Sequence, residues 1–235
     1  MAIKTTFNYS PNFKPKKRRI KNIKFIIFHY TGMKKESGAI NKFTDIQSEV
    51  SCHYLIKNNG EIITMVPVSY TAWHAGKSSW KSCKSLNKNS IGIEITNPGH
   101  DFKYKKFTKK QIISLLKLSK ILIKKYKINS KNILGHSDIA PERKKDPGEK
   151  FPWKYLSQNR VGLWHTIKKQ ELIKNRTIKT TKIEKEFFFN NLFKIGYTKK
   201  IPKGLNKDSY LRNVTKAFQR RYRQEIVNDK IDQEC

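Results

Sequence analysis

The stretch NILGHSDIAPERKKDPG at residues 132–148 organises the chain. Its apolar start predicts a short buried strand, so His136 is expected at the end of a strand. Ten residues later Asp146 lies in Asp-Pro-Gly, where proline fixes φ and glycine allows a sharp turn. An imidazole and a carboxylate on one rigid loop are two potential ligands for a borderline-soft cation such as zinc.

A third ligand must come from elsewhere in the chain. The best candidate is His29, which closes the apolar run IKFIIF at residues 23–28. The set His29, His136 and Asp146 leaves a fourth position for water, which is typical of a catalytic zinc site and not of a structural one. Taken alone, a histidine at the end of a strand is usually a hydrogen-bonded core residue.

The composition fits a folded and strongly basic protein. The chain of 235 residues has room for one sizeable domain and a smaller one, and its hydrophobic content of 37% argues against disorder. The net charge of +33 is compatible with nucleic-acid binding. However, there are 42 lysines against 9 arginines and no recognisable nucleic-acid-binding motif. A nucleic-acid partner is therefore the weaker alternative to a general lysine bias, which suits a protein near anionic cell-envelope polymers.

Location and redox chemistry are only weakly determined. The three cysteines, Cys52, Cys83 and Cys235, are too few for a disulfide framework. No apolar run is long enough to span a membrane. The N-terminal residues lack the apolar segment of a secretory signal, so we expect a cytoplasmic protein, with the periplasm or cell envelope as the alternative. A monomer is the simplest oligomeric state.

The periodicity predicts an α/β fold with a mixed β-sheet flanked by helices, followed by a small all-α module. The residues at 90–96 form a further strand, and Asn-Gly at 59–60 joins two β-rich runs as a hairpin. Thr108 is the expected N-cap of an amphipathic helix. We divide the chain into a basic arm at 1–22, a main domain at 23–158, a connector at 159–183 and a small helical module at 184–235.

Five stretches stand in the order of one family: FHYT at 28–31, SCHYLI at 51–56, AWHAG at 72–76, SIGIE at 90–94, and the opening stretch. The chain resembles the zinc-dependent N-acetylmuramoyl-L-alanine amidases of the type-2 amidase family, which share the peptidoglycan-recognition-protein fold. The resemblance covers roughly residues 20–156, and it implies that residues 23–158 are a zinc amidase catalytic domain. The module at 184–235 is similar to the helical peptidoglycan-binding domain of some of these amidases. Because the chain stops where the third helix of that domain should begin, we expect an incomplete module. It should rest on the catalytic domain through five apolar residues: Phe187, Phe188, Leu192, Phe193 and Phe218.

The resemblance assigns one zinc ion to His29, His136 and Asp146, general-base work to Glu94 and transition-state stabilisation to Lys144. The chemistry of these residues agrees with that assignment. A carboxylate in a central strand costs several kcal/mol unless it is paired or used, and it can move a proton during amide hydrolysis. A lysine two residues before a ligand can place positive charge where an oxyanion develops. Only its position separates Lys144 from a solvated lysine.

Further residues are candidates for contact with the substrate. We expect Trp73 and His74 to line a sugar-peptide cleft, against simple loop packing, and Arg143 to meet a carboxylate of the stem peptide. His53 is a further candidate, although on the hairpin a supporting or structural role suits it better. Asp138 competes with Asp146 as a ligand, but only two residues after His136 it is better placed to support the loop.

The resemblance implies an enzyme that hydrolyses the amide between the lactyl group of N-acetylmuramic acid and L-alanine. Its partners would be peptidoglycan or muropeptides, in cell-wall turnover or recycling. Two alternatives remain: a muropeptide recognition protein of the same fold that does not cleave, and a basic nucleic-acid-binding protein. Relatives without activity typically lose a zinc ligand, whereas His29, His136 and Asp146 are all present here.

Overall fold

The computed structural model describes residues 3–235 of the chain. Its strands are β1 (Thr6–Phe7), β2 (Phe13–Lys14), β3 (Phe25–Tyr30), β4 (Tyr54–Ile56), β5 (Ile62–Thr64), β6 (Thr71–Ala72), β7 (Ser79–Trp80), β8 (Cys83–Lys84), β9 (Ser90–Ile95) and β10 (Ile133–Gly135). Its α-helices are α1 (Glu36–Thr44), α2 (Lys109–Tyr126), α3 (His136–Ile139), α4 (Trp153–Gln158), α5 (Lys169–Asn175), α6 (Lys182–Ile195) and α7 (Lys207–Tyr222). Within residues 3–235, no helix is both long and apolar enough to cross a membrane.

A six-stranded sheet with the order β1-β5-β4-β9-β3-β10 forms the centre of the fold. β3 pairs in parallel with β9 on one side and with β10 on the other, and β9 pairs in parallel with β4. β4 and β5 are antiparallel neighbours, which confirms the predicted hairpin. The sheet is therefore mixed, and the predicted α/β class with flanking helices is confirmed.

α2 covers one face of this sheet. Its N-terminus carries a reciprocal capping box, in which the Thr108 hydroxyl accepts a hydrogen bond from the Gln111 N–H and the Gln111 side chain accepts one from the Thr108 N–H. Leu115, Leu118 and Leu122 of the helix are buried in one cluster with the three isoleucines of β9, which are Ile91, Ile93 and Ile95. The alternation along β9 therefore turns its large apolar side chains to α2, and its small or polar residues to the other face.

The other face of β3 and β10 is covered by α6 and α7. Phe188 and Leu192 of α6 and Val214 of α7 are buried in the same cluster as Phe25 of β3. Phe187, which we expected at this contact, is instead 67% exposed. The helices nevertheless pack with the sheet, because Phe188, Leu192 and Val214 are buried in the cluster that contains Phe25.

The described part of residues 1–22 is a paired surface segment. β1 extends the central sheet by pairing with β5, and β2 pairs with β6. The Arg18 guanidinium donates hydrogen bonds to the carbonyl oxygens of Val68 and Ser90 at 2.9 and 2.7 Å. The basic character of this segment therefore does not keep it away from the fold. The four-part division of the chain stays a prediction.

The contact between α6 and the sheet domain predicts the effect of a single methyl group. Gly196 ends α6 with a φ of +155°, and a Cβ atom there would lie 2.2 Å from the indole of Trp80. We expect Gly196→Ala to lower the free energy of unfolding by about 1–3 kcal/mol through overpacking, in addition to backbone strain, as measured by urea denaturation.

Gly204→Ala is the matched control for this substitution. Gly204 also has a positive φ, +89°, but nothing lies within 4 Å of its added Cβ. Both variants carry backbone strain, at φ values of +155° and +89°, but only Gly196→Ala also meets Trp80, so its loss of stability should be the larger. Equal losses of stability in the two variants would show that α6 does not pack on Trp80 in solution.

Candidate active site

Three parallel strands bring the site residues to one edge of the sheet. His29 on β3 lies directly opposite Glu94 on β9, and Gly135, which precedes His136, lies opposite Phe28. Since the carboxyl ends of parallel strands meet at the same edge, residues separated by more than 100 positions become neighbours there. His29 and Glu94 share the face that is turned away from α2.

His29, His136 and Asp146 converge through three ligand atoms. The two Nδ1 atoms are 2.9 Å apart, and each lies 3.0 Å from Oδ2 of Asp146. The exposed fractions of the three residues are 1%, 4% and 6%. The structure thus brings together the three residues predicted from the sequence, in a group that could hold a metal ion.

The hydrogen bonds around this group fit a cation. Nε2 of His136 lies 3.2 Å from the carbonyl oxygen of Ala75 and 3.3 Å from Nη2 of Arg143. In the tautomer that donates to Ala75, Nδ1 is left as an acceptor. Acceptors that face one another in a buried space repel unless a cation lies between them. Two imidazole nitrogens and one carboxylate oxygen are a donor set that suits zinc.

The ionisation of these groups points the same way. Burial, and then the neighbouring His136, lower the pKa of His29 to about 4, so its ring is neutral at pH 7. Burial alone would raise the pKa of Asp146, but His136 and His29 hold it well below its usual range. The carboxylate is therefore ionised and the imidazole is neutral, which are the forms that bind metals.

His74 orients His29 in a chain of hydrogen bonds. Nε2 of His29 lies 3.0 Å from Nδ1 of His74, and Nε2 of His74 lies 3.1 Å from Oγ of Ser90. The Ser90 hydroxyl donates to the carbonyl oxygen of Leu86 at 2.6 Å, so each proton in the chain has one consistent place. Gly92 is required beside this ring, since a Cβ there would lie 2.3 Å from the imidazole.

His53 is fully buried and is not among the residues that line the cleft. Its Nδ1 accepts a hydrogen bond from the Gly92 N–H at 3.0 Å, and its Nε2 faces the Arg18 guanidinium at 2.9 Å. Burial, and then the charge of Arg18, lower the pKa of His53 well below its ordinary value. These contacts favour the supporting role over contact with substrate.

Glu94 lies at the bottom of a cleft of about 430 Å³. The residues that line this cleft include Tyr30, Lys42, Phe43, Trp73, His74, Glu94, His136, Arg143, Lys144, Lys145 and Asp146. Oε2 of Glu94 is buried and has no hydrogen-bond partner. Burial, and then the charge of Asp146, raise the pKa of Glu94 to about 8, while Lys144 opposes that shift. A carboxyl group with this pKa can both give up and take back a proton near neutral pH.

Trp73 and Arg143 lie at the wall of the same cleft. The Arg143 guanidinium donates to the carbonyl oxygens of Ala75 and Lys77 at 2.5 and 2.6 Å, which ties it to the loop that follows Trp73. Its expected contact with a stem-peptide carboxylate stays a prediction. Asp138 points away from the ligand atoms and forms a buried ion pair with Arg221, as suits a residue that supports the loop.

The sequence of this chain is similar to those of several known proteins. The sequence profile of the family described as N-acetylmuramoyl-L-alanine amidase (Amidase_2) matches residues 19–149. The chain belongs to this amidase family. It is 35% identical to the N-acetylmuramoyl-L-alanine amidase AmiD of Escherichia coli (strain K12) over 224 residues, which cover 90% of this chain and 79% of that protein. It is 34% identical to the 1,6-anhydro-N-acetylmuramyl-L-alanine amidase AmpD of Haemophilus influenzae (strain ATCC 51907 / DSM 11121 / KW20 / Rd) over 167 residues, which cover 63% of this chain and 88% of that one.

A solved structure of this amidase family has the same fold. The E. coli amidase AmiD, in complex with the substrate anhydro-N-acetylmuramic acid-L-Ala-D-gamma-Glu-L-Lys, superposes with a TM-score of 0.77 at 33% identity. The match covers 91% of this chain and 85% of the AmiD chain, so it extends beyond the catalytic strands. The chain is an amide hydrolase of the N-acetylmuramoyl-L-alanine amidase family, and the resemblance stated from five sequence stretches is confirmed.

The hydrogen-bond chain through His74 leads to a prediction about metal affinity. His74→Phe keeps a ring of similar size but removes the acceptor for His29. We expect the affinity for zinc, measured by competition with a chromophoric chelator, to fall by about 10-fold or more, because the tautomer and orientation of His29 are no longer fixed. Trp73 is adjacent to His74 but takes no part in these hydrogen bonds, so Trp73→Phe should keep the parental affinity for zinc. Equal affinities for zinc in the two variants would show that His74 does not hold His29 in place for the metal.

Proposed function

We propose that this amidase hydrolyses the bond between the lactyl group of N-acetylmuramic acid and L-alanine in muropeptides, including those with a 1,6-anhydro sugar. This proposal rests mainly on one observation: two imidazole nitrogens and a carboxylate oxygen converge at the edge of the cleft that Glu94 lines with its unpaired carboxyl oxygen. The substrate class is supported by AmiD of E. coli, which was solved with an anhydro-N-acetylmuramic acid peptide. The cytoplasmic location and the monomeric state stay predictions.

His29, His136 and Asp146 would hold one zinc ion. When bound, the ion supplies a Lewis acid that polarises the scissile carbonyl and lowers the pKa of water. The burial of the three ligands and the hydrogen bonds of His29 to His74 and of His136 to Ala75 keep the donor atoms in place before the ion arrives. Such preorganisation favours the site over the flexible surface carboxylates of the chain.

Glu94 and Lys144 divide the remaining chemistry. Glu94 takes the proton from the attacking water and later delivers it to the leaving amine of L-alanine. The unpaired oxygen of Glu94 supports this role. A buried carboxyl group without a hydrogen-bond partner destabilises the fold, so its presence is better explained by catalysis than by a structural role. Lys144 lines the cleft and is half-buried, so its ammonium group can stabilise the charge that develops on the carbonyl oxygen.

One set of variants separates metal binding from proton transfer. His29→Ala, His136→Ala and Asp146→Ala should each lose zinc and hydrolysis, because each removes one of only three protein ligands. Glu94→Gln should keep zinc but lower kcat by about 100-fold or more, because the amide cannot accept the proton. Zinc is measured by elemental analysis, and cleavage of an anhydro-N-acetylmuramic acid peptide by liquid chromatography and mass spectrometry.

The same measurements distinguish the alternatives. Full zinc occupancy in all three ligand variants would reject the ligand set. Near-normal turnover in a folded Glu94→Gln variant would remove Glu94 from the mechanism. A parental protein that binds the muropeptide and retains zinc but leaves the amide intact would be a recognition protein, as in the non-catalytic alternative.

Variants of the two adjacent lysines test which of them stabilises the oxyanion that develops during hydrolysis. Lys144 is half-buried and Lys145 is exposed, although both reach the cleft. Lys144→Ala should lower kcat by about 100-fold with little change in zinc content, because it removes a charge that acts in the transition state. Lys145→Ala should stay close to the parent, and the reverse order in steady-state kinetics would assign the role to Lys145.

A further inference from the structure

The strongest feature outside the catalytic cleft is a buried ion pair between the catalytic strands and the C-terminal helices. Nη1 of Arg221, on α7, lies 2.6 Å from Oδ2 of Asp138, on α3. The side chains of Arg221 and Asp138 are 5% and 1% exposed. The two residues are 83 positions apart in the chain, so the pair joins α7 directly to the element that begins with the ligand His136.

Asp138 uses both of its carboxylate oxygens. Oδ2 also accepts the backbone N–H of Gly135 at 2.8 Å, and Oδ1 accepts the hydroxyl of Tyr197 at 2.9 Å. Gly135 and Asp138 lie on either side of His136 in the sequence. The carboxylate therefore closes the first turn of α3 around the ligand, and two of its three partners come from the C-terminal part of the chain.

Arg221 also holds the strand that leads into His136. Its Nη2 donates to the carbonyl oxygen of Ile133, the first residue of β10, at 3.0 Å. Its guanidinium plane stacks on the indole of Trp153, 4.1 Å from the ring centroid. The planar fork of an arginine can make all three contacts at once, whereas a lysine offers a single ammonium group on a flexible stem.

The position of α3 affects two ligands and not one. α3 has only four residues, too few to be stable by itself, so its place depends on contacts with the rest of the fold. The N–H of Ser137 donates to the backbone carbonyl oxygen of Asp146 at 2.8 Å. A shift of α3 would therefore move His136 and the backbone of Asp146 together, away from His29.

We propose that Arg221 is a positioning residue of the metal site: through Asp138 and Ile133 it fixes the place of α3, and with it the geometry of His136 and Asp146. In this way α7 supports the metal site without supplying a ligand. This inference rests on the proposed ligand set. It adds that a residue in the helical segment, without any contact to substrate or metal, sets the affinity for the ion.

A second buried arginine on the same helix end offers a matched control. Arg223 is 4% exposed and pairs with Asp232 and with Glu234, whose Oε2 lies 2.8 Å from its Nε. Each of these contacts stays within the C-terminal segment. Arg223→Gln leaves buried charge unpaired just as Arg221→Gln does, so both should lose stability, but only one of them reaches α3.

The experiment measures the metal alone, at a temperature where circular dichroism shows each variant folded. We expect Arg221→Gln to weaken zinc binding by about 10- to 100-fold in a chelator competition, and to change the visible absorption spectrum of the cobalt-substituted protein. Arg221→Lys should be intermediate, since it keeps the charge but not the fork. Arg223→Gln should keep the parental zinc affinity and cobalt spectrum despite a comparable loss of thermal stability.

A second pair of variants covers the case in which Arg221→Gln does not fold. Asp138→Asn keeps the size of the side chain and should weaken zinc binding in the same direction, with Asp232→Asn as its control. The proposal is overturned if zinc affinity in Arg221→Gln or Asp138→Asn stays within about twofold of the parent, or if the controls lose as much. If His29→Ala itself retains zinc, the proposed ligand set fails. If His29→Ala loses zinc while Arg221→Gln retains it, only the positioning role fails.

Discussion

The parallel pairing of β3 with β9 and β10 is the constraint on which the rest of the structure depends. The register places His29 opposite Glu94, and Gly135 opposite Phe28, so that the ligand His136 emerges beside His29. A slip of one residue between β3 and β9 would turn every side chain of one strand to the other face. If the strand that turned were β9, Glu94 would face Leu115, Leu118 and Leu122 of α2, where an unpaired carboxylate costs several kcal/mol. The hydrophobic pattern of β9 thus fixes the face on which Glu94 lies as well as the packing of the core.

β9 shows how one short sequence encodes two opposite surfaces. Ile91, Ile93 and Ile95 face α2, whereas Ser90, Gly92 and Glu94 face the cleft and its supports. On the second face, serine accepts the proton of His74, glycine leaves room for its ring, and glutamate supplies the carboxyl group. A larger residue at Gly92 would push His74 away from His29 and so disturb the ligand without touching it. Ser90 and Gly92 are therefore small because the ring of His74 packs directly against them.

The features that could be predicted from the sequence are those with a local signal. The hairpin follows from Asn-Gly between β-rich runs, and α2 follows from Thr108 as N-cap and from the amphipathic pattern after it. His29 and His136 lie at or directly after the ends of strands and Asp146 lies in a rigid turn, which made them visible in the sequence. Their roles were inferred from the family resemblance. Arg18 and Arg221 could not be found in this way. The half-buried Arg18 and the buried Arg221 are two among 51 basic residues, and their partners lie 72 and 83 positions away, at Ser90 and Asp138. Nothing local distinguishes a buried arginine from a solvated one.

The C-terminal helices raise the question of what their apolar surface is for. Leu192, Tyr210 and Val214 are at most 2% exposed and share a cluster with Phe25 and Ile27 of β3. Trp80 of β7, Leu86 and Ile139 of α3 belong to the same cluster, so the helices share the cover of that face with these residues. The buried apolar residues of α6 and α7 are therefore not available to a wall polymer, whereas Ile183 and Phe187 of α6 are exposed. Any contact with peptidoglycan by this segment must use its outward surface, so binding there and support of α3 by Arg221 can coexist on opposite sides of the same two helices.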